Sequence, residues 1–322
     1  MRGTRLAKNL IAGALMTLPF IGSAQSAQES GNYLTSHIIA LMSEPHSESR
    51  DRRLYKFAVE LFQHIEAGLP TAEEVDYARG VMARALREAA EGGVADAWID
   101  YGRCLWNGWG VPEDREAALG AYKTAAERGA GYGNYLAAYN LYWTFQRYDE
   151  AYTYALKALK DDPGGETRYL LGLMAFTGHG RPKDIPESLR LHIEAANSGN
   201  PDALFELYAL AMNGIGDRSK ALFYLREAAD REQPRAMANL GALHATGQLG
   251  VEKNLEESVK WYRRAADKGV ARAAAALGVM ALRGQGMPKD EVVAKNYFDR
   301  SLALGFDLDP YLQANGIERY EK

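Results

Sequence analysis

Glycine returns along this 322-residue chain at a nearly fixed interval. Gly93, Gly129, Gly165, Gly199, Gly269 and Gly305 fall 36, 36, 34, 70 and 36 residues apart, and the interval of 70 divides at Gln233 into 34 and 36. The same phrase precedes most of them: Ala89-Ala90, Ala125-Ala126, Ala195-Ala196, Ala228-Ala229 and Ala265-Ala266, with Ser301-Leu302 before Gly305. A glycine just past an alanine-rich apolar stripe stops a helix, because it takes the left-handed cap conformation without Cβ strain. A period of this length belongs to chains that stack small similar units, each unable to bury its apolar face alone.

Two further series divide each unit. Gly102, Gly172, Gly241 and Gly278 lie inside the first apolar stripe, with Tyr139 and Tyr208 assigned to the same slot. Glycine within a helix costs about 1 kcal/mol in propensity, so a packing reason is expected, and close approach of another helix backbone supplies one. Gly108-Trp-Gly110, Gly178-His-Gly180, Gly214-Ile-Gly216, Gly247-Gln-Leu-Gly250 and Gly284-Gln-Gly286 mark a turn, followed by Asp114, Asp184, Asp217, Asn254 or Asp290 as the N-cap or a first-turn residue of a second helix. Each unit reads as helix, glycine turn, helix and glycine stop over 34–37 residues. No stretch alternates apolar and polar residues as a strand would. The expected fold is all-α, a right-handed superhelical solenoid of about six to seven antiparallel helix pairs.

The segments Asp202–Gly216 and Leu240–Gly269, the latter with Trp261-Tyr262-Arg-Arg-Ala265-Ala266, resemble Sel-one-like repeats, a branch of the tetratricopeptide-type helical repeats. Tyr135–Pro163 instead resembles an ordinary tetratricopeptide unit, with Ala151, Ala155, Ala158 and Pro163 at that family's spacing and Gln146-Arg-Tyr-Asp149 in place of the glycine turn. The resemblance implies a protein-binding scaffold; no cofactor and no metal are expected. Clear units run over roughly 94–305 after a diverged one, in which Thr71 and Glu74 resemble a capping box. The solenoid is thus expected over 51–305, a linker and capping segment over 25–50 with its apolar patch at Ile38, Ile39, Leu41 and Met42, and a second capping segment over 306–322.

Residues 1–24 carry a different signal. Arg2, Arg5 and Lys8 precede the apolar run Leu10–Ile21, and Gly22-Ser23-Ala24 supplies small residues at its end. That order describes a secretory signal peptide, so the chain is expected to be periplasmic or secreted. Twelve residues of helix rise about 18 Å, short of a hydrocarbon core of roughly 30 Å, so no membrane span is expected in the mature chain.

By the resemblance, one side of each first helix lines a concave groove. Ile99, Arg103, Trp106 and Asn107 share that side through helical spacing. The slot of Trp106 continues as Trp143, Phe176, Met212, Ala245 and Leu282, and that of Ile99 as Leu136, Tyr169, Phe205, Ala238 and Ala275. Both tracks run from bulky to small, and residues 98–154 hold 14 of the 33 aromatic residues where even spacing gives about six. The first half of the groove is therefore the expected partner-binding surface, with Asn140, Thr177 and Asn213 as polar contacts beside the rings.

Chemistry finds little footing. The six histidines share no helix face at ligand spacing, the single Cys104 falls in a core slot, and no serine sits in a nucleophile elbow. Lys and Arg total 38 against 42 acidic residues, and without the first 24 residues the balance is 35 − 42 = −7, which argues against nucleic acid. The leading expectation is a non-enzymatic exported scaffold for another protein, in envelope assembly or polymer secretion. The alternatives are a cell-wall enzyme, for which the roughly 17 residues after Gly305 leave no room for a catalytic domain, and a carbohydrate binder using Trp106, Trp109 and Trp143.

Overall fold

The computed structural model describes residues 24–68, 71–212 and 218–317. The expected signal peptide therefore lies outside the described residues, apart from its last position. Among the described residues there are sixteen α-helices, one short 3-10 turn and no strand, and no helix is long and apolar enough to cross a membrane. The helices gather into two compact bodies. One holds the described residues through Asp162 together with Met174–Lys183; the other holds Pro163–Leu173 and the described residues from Asp184.

In the first body α1 (Ala24–Met42) lies on the pair α2 (Glu48–Gly68) and α3 (Ala72–Glu91). Leu34, Ile38 and Leu41 of α1 are buried there with Leu54, Leu61, Val81 and Met82. Ile39 stays 42% exposed. The capping box at α3 is complete: Thr71 Oγ1 accepts from Glu74 N, and the Glu74 carboxylate accepts from Thr71 N at 3.1 Å. Two more pairs follow, α4 (Ala95–Asn107) with α5 (Arg115–Glu127) and α6 (Tyr132–Trp143) with α7 (Tyr148–Ala158).

Among the described residues the glycine turns form as the spacing requires; Gly214, Gly216 and Asp217 lie outside them. Between α4 and α5, Gly108 and Gly110 have φ of 68° and 71°, left-handed backbone that suits glycine. Gly110 also rests directly on the backbone of α3 at Arg79, leaving no room for a Cβ. Asp114 then caps α5 by accepting from Ala117 N at 2.9 Å. Between α6 and α7 no glycine is present, and Gln146 takes the left-handed position with φ 54°.

Helix α8 (Glu166–Thr177) pairs with α9 (Ile185–Asn197), whose N-cap is Asp184. The second body continues with α10 (Pro201–Leu210) and α11 (Arg218–Asp230), then α12 (Pro234–Thr246) and α13 (Leu255–Asp267), then α14 (Ala271–Arg283) and α15 (Glu291–Ala303). Helix α16 (Leu308–Ala314) lies on α14 and α15, burying Leu308 and Leu312 beside Val279 and Phe298.

The structure departs from the sequence reading in three respects. The left-handed stop after α11 is Glu232, with φ 61°, and not Gln233; Gln233 is the N-cap of α12, its side chain accepting from Ala236 N. The glycines inside the first helices are approached by an aromatic ring of the paired helix, not by its backbone. Tyr122, His192, Tyr262 and Phe298 cover Gly102, Gly172, Gly241 and Gly278. Finally, nine residues separate Gly93 from Gly102 and Gly269 from Gly278, and counting nine from Gly129 reaches Ala138, fully buried, so Tyr139 is not in the glycine slot. Gly133 of that helix meets the backbone of α5 at Tyr122 O instead, where a Cβ would lie 2.5 Å away.

Candidate functional site

Helix α6 carries Tyr132, Tyr135, Tyr139 and Trp143, at intervals of three, four and four, so their rings follow one another along one face. Successive ring centroids are 5.3, 5.9 and 6.4 Å apart. Tyr135 is buried and Trp143, at the end of the row, is 48% exposed. Beside it Tyr142 is buried, edge-on to the Trp143 indole at 4.9 Å and to Tyr148 at 5.3 Å. The Tyr142 hydroxyl lies 3.3 Å from Thr177 Oγ1, and burial pushes its pKa up against that hydrogen bond. Tyr148 stacks on the His179 ring at 4.1 Å. Phe176, next to Thr177, is 41% exposed, with the Lys183 ammonium 5.4 Å from its ring centre. Tyr142 thus touches Trp143 on its own helix and Thr177 on α8, the neighbour of exposed Phe176.

Other expected groove residues in this body are more enclosed. Ile99 is 7% exposed, and so is Asn140, whose Nδ2 donates to Leu136 O of its own helix at 2.7 Å. Arg103 is committed within the chain: Nη1 donates to Asp100 Oδ1 at 2.7 Å, and Tyr55 of α2 donates to Asp100 Oδ2 at 2.9 Å. Burial pushes the Asp100 carboxyl up, opposed by Arg103 and then by Tyr55. Tyr55 and Asp100 were not singled out in the sequence; the spacing of Asp100 and Arg103 was the available signal. Trp106 is half-buried with the Arg115 guanidinium 5.3 Å from its ring, and Asn107 is exposed, donating to Arg103 O. Trp109 is half-buried, tilted against Phe62 at 5.5 Å, with the Arg79 guanidinium 5.8 Å from its ring.

Among the remaining expected residues, Tyr169 of α8 packs edge-on to His192 at 5.8 Å. Phe205 is 6% exposed, with the Arg235 guanidinium 4.4 Å from its ring. Met212 is half-buried, and Asn213 lies outside the described residues. Cys104 is buried, its thiol pushed up to about 12 by burial. Among the described residues no three His, Cys, Asp or Glu side chains gather as a metal site would require.

Repeated helix pairs joined through glycine turns define a helical-repeat protein of the tetratricopeptide-like class. The chain belongs to the Sel1 repeat family, which it matches over residues 95–129, 166–200, 207–232, 234–270 and 271–306. The stretch left between the first two matches holds α6 and α7, the pair joined without glycine. A solved Sel1 repeat protein of Oxalobacter formigenes shares the fold, at 21% identity and TM-score 0.63, over 97% of this chain and 99% of that one. Chitin synthase regulatory factor 3 of Schizosaccharomyces pombe is 27% identical over 234 residues, 63% of this chain and 23% of that protein. An uncharacterized protein of Neisseria meningitidis is 24% identical over 250 residues, 66% of this chain and 51% of that one. The chain thus spans from a quarter to a half of these curated relatives.

Proposed function

We propose that this chain is an exported, non-catalytic scaffold that docks another protein on the face formed by Trp143, Phe176 and Thr177. The observation that carries this reading is the two exposed rings, Trp143 packed on buried Tyr142 and Phe176 next to the Thr177 that the same tyrosine reaches. Large rigid rings that lose little entropy on binding are the usual anchors of a protein interface. The partner belongs to envelope assembly or polymer secretion; a relative named as a regulatory factor of chitin synthase favours a role exerted on another protein that makes a polymer. The basic start, apolar run and small-residue exit of residues 1–24 support export.

Capture of partners by the purified chain tests the docking face. Trp143→Ala and Phe176→Ala should each lose the captured protein while keeping helical content, and Val292→Ala, at a 70% exposed position on α15, should retain it. Undiminished capture by both ring variants would count against the reading. Fractionation of bacterial cells making the full chain tests export: recovery only from the cytoplasm would oppose it.

A further inference from the structure

In three of the four helix pairs where a ring covers a glycine, that ring is a tyrosine or phenylalanine, namely Tyr122, Tyr262 and Phe298. In the pair α8/α9 it is His192, 1% exposed. A methyl group at Gly172 would lie 2.8 Å from His192 Cε1, so the imidazole fills the contact between the two helices. Its Nδ1 is 2.8 Å from Ser188 O and 3.2 Å from Ser188 Oγ, and that hydroxyl itself donates to Gly172 O at 2.9 Å. A carbonyl oxygen only accepts, so Nδ1 carries the ring's proton and Nε2 is the bare nitrogen. Nε2 is buried with no hydrogen-bond partner.

We propose that the pair α8/α9 is an acid-sensitive joint, held shut by neutral His192 and released when solvent supplies a proton to Nε2. Protonation would place a cation and a new N–H donor where no acceptor faces them. The groups around the ring offer no rescue. Tyr169 of α8 presents a neutral ring at 5.8 Å. The α9 charges Glu187, Arg190 and Glu194 pair with one another at the surface, Glu194 also with Arg168 of α8. Asp202 and Glu206 of α10, the helix that packs against α9, do not act on the imidazole. Burial lowers its proton affinity, from 6.5 to about 4, and only the Ser188 carbonyl opposes the shift. Because the folded value lies below the unfolded one, opening takes up a proton in acid. The joint is fully closed above pH 6.5 and weakens as pH falls towards 4. Tyrosine or phenylalanine in the same slot has no proton to gain over that range.

Hydrogen exchange of the full chain between pH 7 and pH 4.5, corrected for intrinsic exchange rates, tests this. Protection within residues 168–197 should fall on the order of 50-fold, while the pairs α4/α5 and α14/α15 change little. His192→Tyr and His192→Phe should abolish the difference. An acid loss of equal size in those variants, or an equal loss in every helix pair, would overturn the proposal. Histidine NMR of the unaltered chain supplies a reading independent of any variant: His192 should remain neutral at pH 5.5, and titration near 6.5 with the helices intact would overturn it.

Discussion

The ring of Tyr122 lies so close over Gly102 that a methyl group at the glycine would sit 2.6 Å from the tyrosine Cε1. This contact joins α4 to α5, and Tyr122 is 3% exposed, so the ring has little room to yield. Gly102→Ala should destabilise the chain by about 1–3 kcal/mol in spite of alanine's better helix propensity. Tyr122→Leu should recover part of that loss in the double variant, with a coupling of about 1 kcal/mol or more by urea denaturation. Purely additive effects would mean that the two side chains do not compete for the same space.

Glu232 holds a left-handed backbone at φ 61° in the position where Gly199 and Gly269 stand in neighbouring repeats. Glu232→Gly should stabilise the chain by about 1 kcal/mol, because glycine carries no Cβ strain there. The lost ion pair with Lys268, at 2.7 Å but half-exposed, offsets little of this gain. Gly269→Glu should shift the melting temperature the opposite way.

Arg50 is buried at 1% exposure and binds three oxygen acceptors: Nε donates to Leu41 O at 2.9 Å, Nη1 to Asp51 at 2.6 Å and Nη2 to Glu88 at 2.6 Å, with His46 Nδ1 also 3.3 Å from Nη1. Arg50→Ala would leave buried Asp51 with only the exposed His46 ring, 3.2 Å away, and free the end of α1, costing about 3–5 kcal/mol. Limited proteolysis should then cut first within 34–44. Arg50→Lys should not restore resistance, since an ammonium cannot reproduce the planar fork that meets all three acceptors.

The Cys104 thiol, pushed up to about 12 by burial, has almost no thiolate at pH 8. Folded chain should leave a chromogenic disulfide reagent unreacted, and one thiol per chain should appear on adding denaturant. Rapid reaction of the folded chain would show that α4 and α5 part readily.

The helix pairs were legible in the sequence because their restraints fall on the backbone. A left-handed stop or a helix crossing without room for a Cβ selects glycine, and glycine is easily read. The register slipped where another residue took the strained position, as Glu232 does, or where a helix keeps alanine against its neighbour, as at Ala138. Helical spacing put Ile99, Asn140, Trp143 and Phe176 on related faces, but it says little about depth. Ile99 and Asn140 sit in the seam between helices, while the two rings reach solvent. Arg50 escaped notice because its partners lie 1, 4, 9 and 38 residues away, which no local pattern brings together.

Photo-crosslinking tests the docking face most directly. A photoreactive amino acid at position 143, and separately at 292, is introduced into the full chain in its native cell. The account predicts a specific crosslinked protein from position 143 that is lost with Phe176→Ala, and none from position 292. The same adducts from both positions, or adducts from 292 alone, would contradict it.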